Sequence, residues 1–347
     1  MKKICIIYTG GTIGMVPTER GYAPRKGYFS QALAEIDELQ KPEVPDWEMV
    51  EFDPLLDSSN VAVNEWNRIG RTIRDRYDDY DGFVVLHGTD TMAYSASALS
   101  FMLDGLDKPV IFTGSQIPLC MLRSDARDNI LTSLMIAGEG KVREVCLYFA
   151  GKLLRGNRST KSSADRFVAF DSPNCAPLAN AGIDITYEEG AIRHFRSDRK
   201  LRGPLGMFGG RLRLSEFQNT PIGVIKVFPG IQFRLFEQVM TDSLSGIVLE
   251  TFGAGNIPEA DGALLPMIRK AYENGTVIVV CSQCPQGTVH LGAYEASAAL
   301  VGAGAVSGYD MTTEAAIAKL YYLFSQGLSR DDIKHYMEID LRGELTK

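Results

Sequence analysis

Short apolar runs that alternate with helical patterns constrain the fold of this chain more than any other feature. The runs 4–7, 83–86, 110–112 and 145–149 contain only aliphatic, aromatic and cysteine residues. Continuous runs of this length are typical of parallel strands that are covered on both faces. The sequence therefore predicts an α/β fold whose larger, N-terminal sheet is of the parallel type and is flanked by helices.

Between these runs, apolar residues recur at the spacing of an α-helix. After Asn64, apolar residues recur at helical spacing from Trp66 to Tyr77, which predicts a helix that Asn64 caps. Further helices are predicted over 92–106 and, after a Ser124 cap, up to residue 137. By contrast, glycines and prolines interrupt 14–27 repeatedly, and this segment is predicted to be a loop.

The length of 347 residues and the 45% hydrophobic content predict two domains. Between residues 193 and 213 the chain carries seven Lys or Arg and a single Asp, together with several glycines. This stretch is interpreted as a solvated linker or hairpin rather than a nucleic-acid contact, because the chain lacks the overall basicity expected of that role. We predict an N-terminal α/β domain at 1–193, a linker at 194–220 and a smaller flavodoxin-like α/β domain at 221–347.

The alternation of predicted strands and helices continues in the second domain. Strands are predicted at 222–228, 246–250 and 277–281. Helices are predicted at 233–240, 264–274, 292–300 and 314–324, followed by a last helix that Ser329 caps.

The composition excludes several classes of function. The formal net charge of -7 argues against nonspecific binding to nucleic acid or to anionic membranes. The apolar run 4–7 is too short for a secretory signal, which needs roughly 7 to 15 apolar residues, and no run of about 18 apolar residues could span a bilayer. Six cysteines in such a chain are expected to be reduced thiols, which favours a cytoplasmic location.

Hydroxyl groups follow two of the predicted strands. Thr12 comes after Gly10 and Gly11, and Thr89 with Asp90 follows the strand 83–86. The carboxyl ends of parallel strands meet at one edge of a sheet, where ligands bind in such folds. Residues 57–59 and 114–116 also follow strand-like runs and are expected at that edge. Each turn taken alone could equally be a phosphate cradle or a plain turn.

A threonine nucleophile needs a partner that takes its proton. The chain has four histidines, and their distribution gives little support to a Ser-His-Asp arrangement. Lys161 is a better candidate, because it follows the strand 145–149 and could pass a proton through Thr89. An isolated Lys161 would otherwise be a solvated side chain.

Cys281 and Cys284 form a Cys-x-x-Cys pair that could be redox-active or bind metal. The residues that follow are typical of a loop, and no second pair completes a zinc site. Close packing beside the sheet edge is the favoured interpretation.

Several segments taken together resemble L-asparaginases, and most closely the cytoplasmic type I branch of the bacterial-type family. The resemblance covers the whole chain, including Arg-Gly-Glu-Leu at 342–345. Its segments are Thr-Gly-Gly-Thr-Ile-Gly at 9–14, Asp-Ser-Ser at 57–59, His-Gly-Thr-Asp-Thr at 87–91, Thr-Gly-Ser-Gln-Ile-Pro at 113–118 and Arg-Gly-Asn-Arg-Ser-Thr-Lys at 155–161.

This resemblance implies hydrolysis of L-asparagine to L-aspartate and ammonia through an acyl-enzyme on a threonine, without a metal or other cofactor. Thr12 matches the nucleophile, and Tyr22 matches a lid tyrosine that hydrogen-bonds to it. Thr89, Asp90 and Lys161 match a second triad that transfers protons.

The substrate fits the residue types at the predicted edge. Its ammonium group is expected to pair with Asp90 and Asp57, and its carboxylate is expected to accept hydrogen bonds from Ser58, Ser59 and nearby backbone N–H groups.

Backbone donors near Gly11 and Thr89 would stabilise the developing negative charge on the amide oxygen. The Ser115 carbonyl is a further expected contact.

Family members complete the site across a homodimer, usually within a homotetramer. Asn256 and Tyr294 match the residues that a neighbouring subunit contributes. Some type I members also bind asparagine at an activating site, which Ser282 and Cys284 partly resemble. Glu237 stands where such members can carry an arginine.

Three alternative functions are left open by the sequence. The chain could be an asparaginase with substantial glutaminase activity, the amidase subunit of a tRNA-dependent amidotransferase, or a noncatalytic amino acid sensor. The acidic composition and the missing extra N-terminal domain argue against the amidotransferase subunit.

Overall fold

A computed structural model describes residues 2–19, 21–193, 212–258, 262–292 and 295–347. The chain divides into two compact units, Met1–Leu214 and Ser215–Lys347. Each contains its own sheet with flanking helices, so the prediction of two α/β domains is confirmed. The predicted linker falls largely on 194–211, outside the described residues, and its boundaries stay a prediction.

The strands of the first unit are β1 Lys3–Gly10, β2 Met15–Thr18, β3 Gly21–Pro24, β4 Asp46–Leu56, β5 Gly82–Leu86, β6 Leu103–Asp104, β7 Val110–Thr113, β8 Val145–Phe149, β9 Lys152–Arg155, β10 Thr160–Lys161, β11 Phe170–Asp171, β12 Ala179–Ala181, β13 Ile185–Tyr187 and β14 Arg213–Leu214. The unit is built on an eight-stranded sheet with the order β13-β12-β9-β8-β7-β5-β1-β4. Strands β4, β1, β5, β7 and β8 are parallel, whereas β9, β12 and β13 are antiparallel additions at one side. Every residue of β5, β7 and β8 is buried, which explains their uninterrupted apolar sequences.

Within the described residues of this unit, the α-helices are α1 Tyr28–Ala34, α2 Val63–Arg74, α3 Met92–Met102 and α4 Ala126–Glu139. The predicted Asn64 cap is wrong, because α2 already begins at Val63. Its N-cap is Ala62, whose N–H donates to the Glu65 carboxylate at 3.0 Å. Tyr77 lies beyond α2, in a separate short 3-10 turn.

The ends of α3 and α4 also differ from the prediction. Helix α3 stops at Met102 because the next two residues form β6, which pairs with β14. Thus β14 takes part in a small sheet although it lies inside the predicted linker. Asp125 is the N-cap residue of α4, while the Ser124 hydroxyl accepts a hydrogen bond from the Ala126 N–H at 3.1 Å.

A parallel four-stranded sheet forms the second unit. Its strands are β15 Ile222–Lys226, β16 Gly246–Thr251, β17 Val277–Ser282 and β18 Val306–Ser307, in that order. Its helices are α5 Leu264–Glu273, α6 Glu295–Gly302, α7 Thr313–Phe324 and α8 Arg330–Met337.

Two predictions for this unit have different outcomes. The predicted helix 233–240 is instead a 3-10 turn, Phe233–Phe236, followed by a π-helical segment, Val239–Ser243. The Ser329 cap on α8 is confirmed, since its hydroxyl accepts from the Asp332 N–H at 3.2 Å. No helix in the described ranges is long and apolar enough to cross a bilayer.

Candidate active site

The turn that carries Thr12 follows the carboxyl end of β1. Gly11 has φ +91, and a Cβ added there would lie 2.5 Å from the backbone of Gly88 in the other threonine turn. Only glycine allows the two turns to approach so closely. Thr12 itself is half-buried, and its side chain makes no hydrogen bond to any other residue in the described ranges.

The second turn follows β5 and brings three predicted residues together. Lys161 Nζ lies 2.9 Å from Thr89 Oγ1 and 2.8 Å from Asp90 Oδ1. Thr89 is buried, whereas the Asp90 side chain is 66% exposed and that of Lys161 is 20% exposed. A cation therefore contacts both a hydroxyl and a carboxylate at the mouth of the site.

Lys161 reaches this point by a route that its sequence position did not indicate. The chain reverses after β8 at Ala150 and Gly151, with φ values of 47 and 82, and returns as the antiparallel strand β9. It then passes along α3, where Ser97 Oγ donates to the Gly156 carbonyl at 3.4 Å. The lysine thus arrives beside the start of α3, rather than directly from the end of β8.

Gln116 was expected at this edge from its sequence position, but no contact with Thr89 was predicted for it. Its Oε1 lies 3.2 Å from Thr89 Oγ1, and its Nε2 lies 3.2 Å from the Ala164 carbonyl oxygen and 3.0 Å from that of Arg166. The backbone N–H of Gln116 donates to the Asp125 carboxylate. The available signal was the position of Gln116 after β7, at the same edge as both threonine turns.

Residues 57–59 form a tight turn against the second threonine turn. The Asp57 carboxylate accepts from the Ser59 N–H at 3.1 Å. Ser58 is buried, its carbonyl accepts from Thr91 Oγ1 at 2.7 Å, and a Cβ on Gly88 would lie 2.5 Å from its hydroxyl oxygen. The exposed Asp57 and Ser59 side chains flank this contact, so these hydroxyl and carboxylate groups share one edge with Thr89.

Ser115, also predicted at the site, is buried after β7. Its hydroxyl donates to the Ile117 carbonyl at 2.6 Å, which holds the turn that leads into Gln116. This hydroxyl is therefore engaged within its own turn.

His87 lies beneath the second turn as a buried side chain. Burial lowers its pKa to about 4, because the charged imidazolium is disfavoured away from water. Its Nδ1 lies 2.8 Å from the Gly88 carbonyl oxygen and its Nε2 lies 3.0 Å from Ser95 Oγ, which accepts from Trp66 Nε1. The neutral ring therefore has a hydrogen-bond partner on both nitrogens.

The predicted loop 14–27 is in fact an antiparallel hairpin of β2 and β3. Tyr22 lies on this hairpin, 46% exposed, and its hydroxyl contacts Met121 Sδ at 2.8 Å. The expected hydrogen bond from Tyr22 to Thr12 is absent from this structure. Main-chain pairing of Leu119 N–H with the Ile13 carbonyl at 3.0 Å joins the base of the hairpin to the segment around Met121.

The second unit carries the remaining predicted residues. Asn256 is exposed and forms a backbone bridge with Phe252, and Tyr294 lies outside the described residues. Glu237 pairs with Lys270 at 3.8 Å. The Ser282 hydroxyl donates to the Gly253 carbonyl at 2.7 Å and accepts from the Cys284 N–H at 3.0 Å.

The Cys-x-x-Cys pair consists of one buried and one exposed thiol. Both cysteines are free. Burial raises the pKa of Cys281 to about 12, which keeps the thiol protonated and unreactive. In the part of the chain that the structure describes, no three His, Cys, Asp or Glu side chains are grouped so that they could hold a metal ion.

Both units match profiles of known protein families. Residues 3–193 match the profile described as Asparaginase, N-terminal, and residues 221–337 match the Glutaminase/Asparaginase C-terminal domain.

Individual relatives extend this similarity over the whole chain. L-asparaginase 1 of Escherichia coli K12 is 45% identical over 346 residues, which cover 99% of this chain and 98% of the relative. One component of the glutamyl-tRNA(Gln) amidotransferase of Aeropyrum pernix is 32% identical, and the match covers 100% of this chain and 80% of the relative.

A solved structure agrees with the sequence relatives. The crystal structure of L-asparaginase I from Vibrio cholerae superimposes with a TM-score of 0.90 at 44% identity, covering 100% of this chain and 99% of the other.

Proposed function

The chain belongs to the asparaginase family, and we propose that it hydrolyses the side-chain amide of L-asparagine to L-aspartate and ammonia. The observation that carries this proposal is the position of Lys161, within 2.9 Å of Thr89 Oγ1 and 2.8 Å of Asp90 Oδ1. An amine in contact with a buried hydroxyl can move a proton to or from a reacting group. The contact between Gly11 and Gly88 places this group beside the turn that carries Thr12.

Thr12 is the proposed nucleophile. Its Oγ1 would bond to the side-chain carbonyl carbon of the substrate, the C–N bond would break, and the hydroxyl proton would end on the departing ammonia. Water would then cleave the acyl ester and restore the hydroxyl. Thr89 and Lys161 would carry the proton in both steps, and Tyr22 would contact Thr12 when the β2–β3 hairpin closes.

Charge complementarity supports the proposed substrate orientation. The exposed carboxylates of Asp57 and Asp90 can pair with the α-ammonium, while Ser58 and Ser59 can donate to the α-carboxylate. Hydrogen bonds to charged groups contribute roughly 1.5 to 3 kcal/mol each. Together they would hold the side-chain amide against Thr12.

The developing negative charge on the amide oxygen needs donors that are already in place. We propose the backbone N–H groups of the turns at Gly11 and Thr89. The Ser115 carbonyl is a proposed additional contact of the substrate. Buried glycines keep these turns close together, which supports the assignment.

We further propose that the chain self-associates as a homodimer or homotetramer, and that Asn256 and Tyr294 complete the site of a neighbouring copy. The exposure of Asn256 is compatible with this role.

Activation by asparagine at a second site, with Ser282 and Cys284 as contacts, is a separate proposal. Glu237 would place a negative charge near the carboxylate of such an effector, and its pairing with Lys270 would have to rearrange. Sigmoidal dependence of the rate on asparagine concentration would support activation, and hyperbolic kinetics would contradict it.

A cytoplasmic location is also proposed. All six cysteines are free thiols, and two of them are exposed, a state that a reducing compartment preserves. The net charge of -7 is consistent with a partner that is a small polar molecule rather than nucleic acid or a membrane surface.

The decisive test replaces the nucleophile. We expect Thr12→Ala to abolish ammonia release from asparagine while thermal stability is retained, because the hydroxyl forms no hydrogen bond within the described residues. Thr186→Ala is the control for loss of a threonine hydroxyl outside the site, since Thr186 is exposed on the edge strand β13 and its hydroxyl donates only a long hydrogen bond to the Asn180 carbonyl, at 3.3 Å. Near-normal ammonia release by Thr12→Ala would overturn the proposal.

Two alternatives are separated by simple measurements. The matched C-terminal family profile includes glutaminases, so ammonia release from asparagine and from glutamine should be compared at equal concentrations. A sensor would instead bind asparagine in calorimetry without forming product. The Lys161–Thr89 contact gives no reason to expect a catalytically silent pocket.

A further inference from the structure

We propose that Gln116 is a positioning residue that fixes the direction of the Thr89 hydroxyl proton. This inference rests on the proposed function, since it concerns the proton that Thr89 and Lys161 exchange. Gln116 contacts Thr89 with one end of its side-chain amide and the segment that follows Lys161 with the other end.

The neighbours of Gln116 determine the orientation of its amide. One terminal atom lies 3.2 Å from the Ala164 carbonyl oxygen and 3.0 Å from the Arg166 carbonyl oxygen. Carbonyl oxygens only accept, so this atom must be the NH₂ group. The other terminal atom, 3.2 Å from Thr89 Oγ1, is therefore the amide oxygen, which carries no hydrogen.

It follows that Thr89 donates its single hydroxyl proton to Gln116. Lys161 Nζ, at 2.9 Å from the same hydroxyl oxygen, must then be the donor in its own contact with Thr89. The resting proton order runs from Lys161 to Thr89 to Gln116. Lys161 also donates to Asp90 at 2.8 Å, so both of these contacts of Nζ use its N–H groups as donors.

This order opposes proton transfer from Thr89 to Lys161. For Lys161 to accept that proton, the Thr89 hydroxyl must turn away from Gln116 and Nζ must present a lone pair to it instead of an N–H group. Gln116 therefore holds Thr89 in its resting state and delays its use as a proton carrier. The backbone of Gln116 is anchored on Asp125, which keeps the amide in this position.

Two carboxylates contact this arrangement directly. In the described ranges, Asp90 is the carboxylate that pairs with Lys161, and Asp125 is the carboxylate that holds the Gln116 and Ile117 N–H groups. Both carboxylates are retained when Gln116 is substituted, so any change in the pH dependence of activity arises at position 116.

The test compares Gln116→Leu with Gln116→Glu. Both variants lose the donors to Ala164 and Arg166, but only the glutamate keeps an acceptor for Thr89 and adds a negative charge. We expect the acidic limb of the kcat/KM profile with asparagine to move to lower pH in Gln116→Leu and to higher pH in Gln116→Glu, each by at least about 0.5 pH unit. KM at the pH optimum should change less than kcat.

A second measurement does not depend on turnover. NMR of the ¹⁵N-labelled lysine side chains in the substrate-free protein, recorded at one pH, should show the Lys161 Nζ–H signal displaced from its wild-type position in opposite directions in the two variants. A purely structural role would lower activity in both variants and leave this signal and the acidic limb where they are in the wild type, which would overturn the inference. Absence of ammonia release by the wild type would instead contradict the proposed function, and the NMR signal would still decide the role of Gln116.

Discussion

Two lysine–carboxylate pairs, one in each unit, show how the same contact serves different purposes. Lys161 and Asp90 lie 2.8 Å apart with side chains that are 20% and 66% exposed, whereas Lys319 and Glu344 lie 2.5 Å apart and are both fully buried. The first pair also contacts a hydroxyl, that of Thr89. The second pair is held by backbone groups near the C-terminus.

The buried pair fastens the C-terminal segment. Lys319, on α7, donates to the carbonyls of Met337 and Ile339, and Glu344 accepts from the N–H groups of Leu341 and Arg342. Charges removed from water need such a set of partners. The Lys161–Asp90 pair keeps access to solvent instead, and is therefore suited to exchange protons with a substrate. Burial and the remaining hydrogen-bond partners, rather than the distance between the charges, distinguish the structural pair Lys319–Glu344 from the proposed catalytic pair Lys161–Asp90.

The largest expected effect on activity comes from Lys161→Met. Loss of a positioned proton carrier should lower kcat by about 10²- to 10⁴-fold. The free energy of unfolding should change by less than about 1 kcal/mol, because Asp90 is exposed and such pairs add little stability. Ammonia release and urea unfolding measure the two quantities, and a large loss of stability would remove the contrast with Lys319.

For Lys319→Met we expect the main effect on stability rather than on activity. Glu344 would be left charged and buried, which should cost about 3 to 5 kcal/mol of unfolding free energy, measured by urea unfolding with far-UV circular dichroism. Replacing both partners, as Lys319→Met with Glu344→Leu, should recover part of this loss. If the double variant were less stable than the single variant, the cost would not arise from the unpaired carboxylate.

Glu344 also predicts a specific dependence of stability on pH. Burial alone would raise its pKa, but Lys319 and the backbone N–H donors lower it from 4.5 to about 2. Because the folded pKa is depressed, this stabilisation is complete above the unfolded pKa and is lost as the pH falls from about 4.5 to 2. The loss should reach about 3 kcal/mol.

Hydrogen exchange of peptides from α7 and the C-terminal segment, measured at matched pH, should therefore show protection that weakens with acid more steeply in the wild type than in Glu344→Gln. Parallel pH profiles of the two proteins would show that Glu344 is not the titrating group.

The smallest effect on stability and activity is expected for an ion pair at the surface. Lys2 and Asp81 lie 2.8 Å apart, as close as Lys161 and Asp90, with side chains that are 60% and 37% exposed. Lys2→Gln should change the free energy of unfolding by less than about 0.5 kcal/mol and leave ammonia release unaltered. A change above about 1 kcal/mol would mean that contact distance matters more than burial.

Local patterns were sufficient for the strands that form the parallel part of the first sheet. The runs at β1, β5, β7 and β8 are apolar throughout because both of their faces are covered. The hairpin of β2 and β3 was not predictable in this way, since Pro17 and Gly21 are typical of loops and only cross-strand pairing makes the segment regular. The same holds for β14, whose partner β6 is distant in the sequence.

The active site also combines features that local sequence patterns indicate with contacts between distant segments that they do not. Gly-Thr turns after two strands indicated where Thr12 and Thr89 lie, because the ends of parallel strands share an edge. The contacts of Gln116 were not predictable, since they join segments that are 27 and 48 residues away from it in the sequence.

The sequence by itself determined the α/β class, the family and the two threonine turns, because apolar runs and glycine positions act through local backbone preferences. Only the tertiary structure decided which partners Lys161, Gln116 and Lys319 have and how much water reaches them. These properties depend on groups brought together from distant parts of the chain. They are what separates a lysine suited to moving protons from one that fastens the C-terminus.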